Sequence, residues 1–214
     1  MTVPHPAGSS RPGATSSDSP LGMARHLLGE ADALDRAVYE TVANTPTPTL
    51  DVAMTRLADA SNYSRLSLLI AAALAVAGGR RGRRAAFSGL VAVGASSLTA
   101  DLTAKHLVHR RRPERSPANT GRRARMPTSS SFPSGHTASA FAFATAVATN
   151  LPELSLPLYG LATAVGYSRV HNGVHYPGDV MGGAVLGLAV GTVVQAATSR
   201  LVSRPPTRST SSGT

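Results

Sequence analysis

Three short strings contain the residues of this chain that can do chemistry together. They read KHLVHRRRP at residues 105–113, PSGH at residues 133–136 and SRVHNGVHYPGD at residues 168–179. A phosphoryl group in transfer carries negative charge on its peripheral oxygens. A site without a metal therefore needs several cationic or N–H donors, a nucleophile and a proton donor. The strings contain all of these, so they predict metal-independent phosphoryl transfer.

The third string predicts the nucleophile. His175 precedes Tyr176 and Pro177, and a proline favours a helix start while keeping the residue before it out of the helical region. Asp179 then lies in the first turn, where its carboxylate can reach back. Because Asp179 would hold one ring nitrogen of His175, the other nitrogen stays free to attack phosphorus. We expect His175 to be the nucleophile and Asp179 to orient it.

The second string predicts the proton donor and an anion site. Ser134 and Gly135 open a helix after Pro133, so the hydroxyl and the free backbone N–H groups can bind phosphoryl oxygens at the positive end of that helix. His136 is then placed to protonate the leaving oxygen. It would next deprotonate the water that hydrolyses a phosphohistidine.

The first string supplies positive charge. Lys105, the only lysine of the chain, and Arg112 are expected to bind phosphate together with Arg169 of the third string. Asp101 lies four residues before Lys105 and is interpreted as its ion-pair partner. The other arginines at residues 110–125 either recruit anionic lipid or form a solvated basic loop. The remaining histidines of the strings are interpreted as surface or supporting residues: His106, His109 and His171.

Composition restricts the class of protein. The chain has 214 residues, of which 42% are apolar, 4% aromatic and 15% charged, and this balance suits membrane helices. It has no cysteine, which excludes disulfides, thiolate metal sites and cysteine catalysis. The net charge of +10 comes from arginines beside apolar runs. We discount nucleic-acid binding, because a chain that is poor in aromatic residues and has no basic helix offers no platform for stacking bases.

The chain is predicted to be one all-α, membrane-embedded helical bundle at residues 24–203, between disordered tails at residues 1–23 and 204–214. Residues 25–44 form an amphipathic helix that is too charged to span. A second helix is expected to begin near Thr49 and to run on into the membrane.

Apolar runs predict about five transmembrane helices. They lie at residues 61–79, 85–104, 135–151, 155–167 and 180–198, and the third and fourth are short for a bilayer. Gly183, Gly187 and Gly191 share one face of the last helix and permit close packing, either within one chain or between two. The oligomeric state is therefore open.

Charge predicts the orientation. If the arginines at residues 80–84 lie in the cytoplasm, the helices place all three strings at the extracytoplasmic face of the cell membrane. The basic loop at residues 110–125 then contradicts the charge rule unless it has anionic partners. A phosphate pocket beside anionic headgroups would provide them.

These strings resemble the motifs of the type 2 phosphatidic acid phosphatase (PAP2) and vanadium haloperoxidase superfamily, written Lys-x6-Arg-Pro, Pro-Ser-Gly-His and Ser-Arg-x5-His-x3-Asp. Every fixed position is present in the chain. The resemblance implies a helical bundle, a histidine nucleophile, a histidine acid, and neither a metal nor a cofactor. It also implies a phosphate cradle formed by Lys105, Arg112, Ser134, Gly135 and Arg169.

The predicted function is that of an integral-membrane lipid phosphatase. Its partners would be the membrane and a lipid phosphate such as phosphatidate, phosphatidylglycerol phosphate or a polyprenyl mono- or diphosphate. The groove between helices and the loop at residues 114–131 are expected to set selectivity. One alternative is a vanadate-dependent haloperoxidase, although those relatives are generally larger and soluble. Another is a non-catalytic helical membrane protein whose charged residues line a path.

Overall fold

The computed structural model describes residues 19–106, 108–115, 122 and 126–202, but not the side chains of residues 63, 103–106, 201 and 202. This part of the chain contains α-helices and no strand, which confirms the predicted all-α fold. The helices are α1 (Pro20–Asn44), α2 (Pro48–Ala60), α3 (Arg65–Ala77), α4 (Gly79–His106), α5 (Gly135–Asn150), α6 (Ser155–His171) and α7 (Pro177–Val202). Residues 1–18 and the tail predicted at residues 204–214 lie outside the described residues.

The amphipathic helix α1 begins earlier than predicted, at Pro20 and not at residue 25. The Ser19 hydroxyl accepts a hydrogen bond from the Gly22 N–H at 3.0 Å, and proline suits the first helical position. Tyr39 and Ala43, near the end of α1, are buried against the bundle. Large apolar side chains elsewhere on α1 are exposed: Leu21, Met23, Leu27, Leu28, Leu34 and Val38.

The prediction of one helix from near Thr49 into the membrane is wrong. α2 ends at Ala60, and α3 begins at Arg65 with its axis turned by 68°. Between them Ser64 has a left-handed backbone (φ 56°), which a right-handed helix cannot continue through. The Ser61 hydroxyl donates to the Leu57 carbonyl at 2.7 Å. This short polar segment bonds to its own backbone and ends the helix.

Small residues fill the contact between α4, α5 and α7, and several large apolar side chains of α4 and α7 face outward. Ala142 and Ala146 of α5 are fully buried and pack against Ala92 of α4 and Val194 of α7. Several large side chains of α4 and α7 are more than 60% exposed: Phe87, Leu98, Met181, Val185 and Val193. This arrangement is expected where lipid surrounds the helices and small residues let them approach.

The glycine face of α7 packs within the chain, against α5. A Cβ atom added at Gly183, Gly187 or Gly191 would collide with backbone carbonyl oxygens of Ser134, Ala138 and Ala142, respectively. Of the two arrangements that the sequence allowed, the structure has the intramolecular one. The contact sets the distance between the beginning of α7 and the beginning of α5, where two of the three strings lie.

Two of the described helices are long and apolar enough to cross a bilayer, at Gly79–Leu102 and Pro177–Arg200. The bent pair α2 and α3 would add a third if it formed one span. α5 and α6 have 16 and 17 residues, fewer than the roughly 20 that a bilayer requires. The two apolar runs predicted to be short, at residues 135–151 and 155–167, thus form short helices. The total of about five spans stays a prediction.

Candidate active site

The three strings meet at one end of the bundle, as predicted. The Ser134 N–H donates to the Asp179 carbonyl at 2.9 Å, which joins the second string to the third. Arg112 of the first string donates from Nη1 to the Val174 carbonyl at 3.0 Å. The same Nη1 lies 3.2 Å from Nε2 of His175. These contacts hold the ends of α5, α6 and α7 together with the loop that follows α4.

His175 and Asp179 form the centre of the site. Pro177 begins α7, and Asp179 lies in the first turn, as predicted. Oδ2 of Asp179 accepts the Tyr176 N–H at 2.9 Å and lies 3.6 Å from Nδ1 of His175. The two ring nitrogens of His175 therefore face different groups, with Nδ1 toward the carboxylate and Nε2 toward Arg112.

Burial decides the charge of the central imidazole. His175 is 3% exposed. Burial lowers the pKa of His175 below its ordinary value, and the nearby guanidinium of Arg112 acts in the same direction, whereas Asp179 opposes the shift. The imidazole is therefore neutral near pH 7, and a neutral ring is the form that can act as a nucleophile.

Arg112 is held by the chain on several sides. Its Nε donates to the Ser129 carbonyl and its Nη2 to the Ser130 carbonyl, both at 3.0 Å. Burial lowers the pKa of Arg112, although the guanidinium stays charged. Because these bonds fix the side chain before any ligand binds, its charge points at a defined place beside His175.

A cavity of about 330 Å³ opens beside these groups. Its polar wall is formed by Arg112, Ser129, Gly135, His136 and His175. Its apolar wall is formed by Ile70, Phe143, Leu158, Leu161 and Val165, which belong to α3, α5 and α6. The cavity thus joins a cationic and histidine-bearing end to a surface suited to hydrocarbon.

The remaining predicted residues differ in their access to the cavity. α5 begins at Gly135 with Ser134 at its N-cap, as expected. The Ser134 hydroxyl is fully buried and accepts a hydrogen bond from the Thr137 hydroxyl at 2.9 Å. Arg169 is 2% exposed and donates from Nη2 to the Ala58 carbonyl at 3.0 Å, while its Nε has no hydrogen-bond partner among the described residues. Neither Ser134 nor Arg169 lines the cavity.

Lys105 lies in the last turn of α4, and its side chain falls outside the described residues. Its predicted pairing with Asp101 is therefore not described either. Asp101 itself is exposed and lines the cavity. Within the described residues, no group of three or more histidine and carboxylate side chains could hold a metal ion.

For two arginines of the basic loop, both predicted alternatives, lipid recruitment and a solvated loop, are wrong. Arg122 is 4% exposed and its Nε lies 2.9 Å from the Asp51 carboxylate. It also donates to the carbonyl oxygens of Val42, Ala43, Thr45 and His171. Arg110 is bound by three carboxylates, those of Asp32, Asp35 and Asp179. Protein carboxylates therefore provide anionic partners that the sequence assigned to lipid.

No local signal could have identified these partners. Asp32 and Asp35 of α1 fit the polar face of any amphipathic helix, and they lie more than seventy residues from Arg110 in the chain. His171, which was interpreted as a surface or supporting residue, is 1% exposed and places Nε2 2.7 Å from Asp51. Only the folded chain brings these groups together.

The fold is an all-α bundle with a cationic, histidine-bearing site at one end. The chain belongs to the PAP2 superfamily, because the model of that family matches residues 85–202, more than half of the chain. The match includes all three strings.

Particular relatives share parts of the sequence. Over 92 residues the chain is 40% identical to a decaprenylphosphoryl-5-phosphoribose phosphatase of Mycobacterium tuberculosis, an alignment that covers 42% of this chain and 49% of that protein. Over 65 residues it is 43% identical to a lipid A 1-phosphatase of Porphyromonas gingivalis, which covers 28% of this chain and 15% of that protein. The chain thus spans less than half the length of these curated relatives.

A solved structure shares the fold. The transmembrane PAP2-type phosphatidylglycerolphosphate phosphatase from Bacillus subtilis superposes with a TM-score of 0.64 at 24% sequence identity, over 80% of this chain and 88% of that chain. The same bundle therefore occurs in a protein that crosses a membrane.

Proposed function

We propose that this protein hydrolyses a phosphate ester or diphosphate of a lipid through a phosphohistidine on His175. One observation carries the proposal: the buried imidazole of His175 directs Nδ1 toward Asp179 and Nε2 toward Arg112 beside the cavity. A neutral ring oriented in this way carries its lone pair on Nε2, where a phosphorus atom bound near Arg112 would lie. The relatives, which are named as phosphatases of lipid and polyprenyl phosphates, support the same activity.

In the first step, Nε2 of His175 attacks phosphorus, and the bond from phosphorus to the leaving oxygen breaks. The imidazole becomes positively charged as the new P–N bond forms, and the Asp179 carboxylate stabilises that charge through Nδ1–H. The separation of 3.6 Å is slightly long for a hydrogen bond. Such bonds are often long without substrate and shorten when the ring becomes charged.

His136 completes the reaction at the leaving oxygen. It lines the same cavity as His175 and lies in the first turn of α5. A phosphate dianion bound beside the His136 ring would favour its imidazolium form, which gives a proton to the leaving alkoxide or phosphate. The neutral ring then takes a proton from water, which attacks phosphorus and breaks the P–N bond, so that inorganic phosphate and neutral His175 are formed.

Fixed positive charge and N–H donors would hold the phosphoryl oxygens. Arg112 is oriented by its bonds to Ser129 and Ser130, and the first N–H groups of α5 at Gly135 border the cavity. Lys105 and Arg169 are proposed to join this cradle when substrate binds. Donors that need no reorganisation during the reaction are what stabilises a transferring phosphoryl group.

The apolar wall supports a lipid substrate. A volume of about 330 Å³ accommodates a phosphate, a small headgroup and the beginning of a chain, at the lower end of the range for ligand sites. The apolar side chains line the same cavity as the two histidines, so a hydrocarbon chain would extend between α3, α5 and α6 toward the membrane interior. We propose that the protein crosses the membrane several times, with this site at the extracytoplasmic face.

The test is phosphate release by purified protein in detergent micelles with an excess of chelator. The substrates are phosphatidate, phosphatidylglycerol phosphate, a polyprenyl diphosphate and a soluble phosphate ester. We expect release from at least one lipid that survives chelation, and loss of that release in His175→Ala. The matched control is His109→Ala, because His109 is an exposed histidine that does not line the cavity.

Three outcomes would contradict parts of the proposal. Release that the chelator abolishes would refute metal independence. Equal activity of the His175→Ala and His109→Ala variants would refute the role of His175 as the nucleophile. No release from any substrate by folded protein would refute the phosphatase activity, and vanadate loading with halide oxidation would then be measured.

A further inference from the structure

Arg110 bridges the centre of the site to the amphipathic helix. Its Nη1 donates to Oδ1 of Asp179 at 2.9 Å. Its Nη2 lies 2.7 Å from Oδ1 of Asp32 and 2.7 Å from Oδ2 of Asp35, both on α1. The ring of Tyr176 covers the guanidinium at 4.3 Å from its centroid. One arginine thus contacts three carboxylates from two helices that are far apart in the chain.

The contact completes the bonding of Asp179. Oδ2 of this carboxylate accepts the Tyr176 N–H and faces His175, whereas Oδ1 is bound by Arg110. A carboxylate held at both oxygens cannot rotate about its last bond without losing a charge-assisted hydrogen bond. Asp179 is fully buried, so no water replaces a lost partner cheaply.

Helix α1 holds the arginine and the beginning of α7 together. Asp35 accepts the Gly178 N–H at 2.7 Å through Oδ1, while its Oδ2 binds Arg110. The Tyr39 ring of α1 meets the Tyr176 ring edge-on at 5.5 Å between centroids. The same short part of α1 therefore contacts the backbone that precedes Asp179 and the arginine that binds its side chain.

We propose that Arg110, held by Asp32 and Asp35 of α1, is a positioning residue that fixes the Asp179 carboxylate for His175. The inference rests on the proposed function of His175 as the nucleophile. Arg110 lies between the fixed lysine and arginine of the first string and occupies none of the motif positions. It does not line the cavity, so it acts on substrate only through Asp179.

Through Asp179, the Arg110 guanidinium also affects the electrostatic environment of His175. Hydrogen bonds to Asp35, Asp179 and Asp32 outweigh the effect of burial and raise the pKa of Arg110, so it is cationic at every working pH. The charged or titratable groups that face His175 are Arg112 before α5, His136 on α5, Arg169 on α6 and Asp179 on α7. Loss of the positive charge on Arg110 leaves Asp179 less neutralised and favours imidazolium at His175.

The test compares Arg110→Ala with Arg111→Ala. Arg111 is the matched control, because it is the neighbouring arginine, it is exposed and its removal changes the net charge equally. We expect Arg110→Ala to lower kcat by about 10- to 100-fold, with KM within about threefold, since a small displacement of an orienting group costs rate and not binding. Arg111→Ala should stay within about twofold of the unchanged protein.

A second measurement does not depend on turnover. The titration of His175 is followed by NMR of histidine-labelled protein in micelles, with the signal assigned by its loss in His175→Gln. In Arg110→Ala the pKa of His175 should rise, because a nearby cation is gone, and the acid limb of the kcat profile should move to higher pH. In Arg111→Ala both should stay unchanged. A purely structural role would not move the titration.

Two further variants keep the proposal testable if Arg110→Ala does not fold. Arg110→Lys keeps the charge but cannot bridge three carboxylates, so kcat should lie between those of the alanine variant and the unchanged protein. The double variant Asp32→Asn, Asp35→Asn keeps Arg110 but weakens the ion pairs that hold it. We expect kcat to fall by about threefold to tenfold.

The outcomes separate the two proposals. Equal kcat and equal His175 titration in Arg110→Ala and Arg111→Ala would overturn the positioning role. So would an Asp32→Asn, Asp35→Asn double variant with unchanged kcat. If the unchanged protein releases no phosphate, the proposed function fails, whereas the NMR titration still decides whether Arg110 acts on Asp179 and His175.

Discussion

Nδ1 of His175 lies 3.6 Å from Oδ2 of Asp179, while that same oxygen accepts the Tyr176 N–H at 2.9 Å. The carboxylate is therefore held by the backbone before the histidine is charged. A small movement of the ring would complete the hydrogen bond when imidazolium forms.

This relationship predicts a large effect of Asp179→Asn. The amide keeps the shape but lacks the charge that stabilises imidazolium, so kcat should fall by about 10²- to 10⁴-fold with little change in KM. Steady-state phosphate release measures both constants. Glu153→Gln, an exposed change at the opposite end of the bundle, serves as the control. A decrease of less than fivefold in Asp179→Asn would remove this carboxylate from the mechanism.

The pH dependence of kcat/KM follows from the buried imidazole. Because burial lowers the pKa of His175 from the ordinary 6.5, the ring stays neutral below that pH. Activity should therefore persist as pH falls through 6.5 and be lost only when pH passes the lowered pKa of the free enzyme. The measurement is kcat/KM between about pH 4 and 9. An acid limb centred above 6.5 would contradict the assignment of His175 as the titrating nucleophile.

Arg122 should matter for stability. Its replacement by alanine leaves the Asp51 carboxylate and several carbonyl oxygens without their donor, and breaking a buried pair costs about 3–5 kcal/mol. Loss of helical circular dichroism on heating in micelles measures the effect. Arg111→Ala is the control and should change stability by less than about 0.5 kcal/mol. Equal melting temperatures for the two variants would show that the Arg122 contacts contribute nothing.

The close contact of α5 and α7 predicts opposite effects of two glycine changes. Gly187→Ala places a methyl group against the Ala138 carbonyl, so the helices must separate, at a cost of about 1–3 kcal/mol. Gly160→Ala meets nothing within 4 Å and should be neutral or stabilising by up to about 1 kcal/mol, since alanine favours a helix. Thermal melting of both variants decides the point. A Gly187→Ala variant as stable as Gly160→Ala would contradict the packing.

The proposed orientation can be tested because the chain has no cysteine. A single cysteine is introduced as Arg111→Cys, near the site, or as Arg83→Cys, at the other end of α4; both positions are exposed. An impermeant maleimide added to intact cells should label the first variant, whereas the second should react only after the cells are opened. The reverse pattern would place the site in the cytoplasm.

Sequence reasoning predicted most of the helices from local patterns, and it predicted the meeting of the three strings from the order of those helices. Proline before a polar turn predicted the beginnings of α5 and α7, and helical connectivity placed the strings at one end of the bundle. It missed the break after Ala60, where a short polar segment competes with helix. It also placed Arg110 and Arg122 outside the protein interior. A charge run indicates where positive charge lies, but not which carboxylate it meets.

The sequence by itself determined the chemistry that we propose for this protein: the kinds of donor, nucleophile and acid, and the apolar helices that carry them. Those features are encoded by spacing within a few residues. The tertiary structure alone decided that Asp32 and Asp35 of α1 hold Arg110 against Asp179, and that Arg122 lies buried against Asp51. Such pairs join positions about seventy or more residues apart, and their partners are set by how helices pack, which no local pattern of side chains specifies.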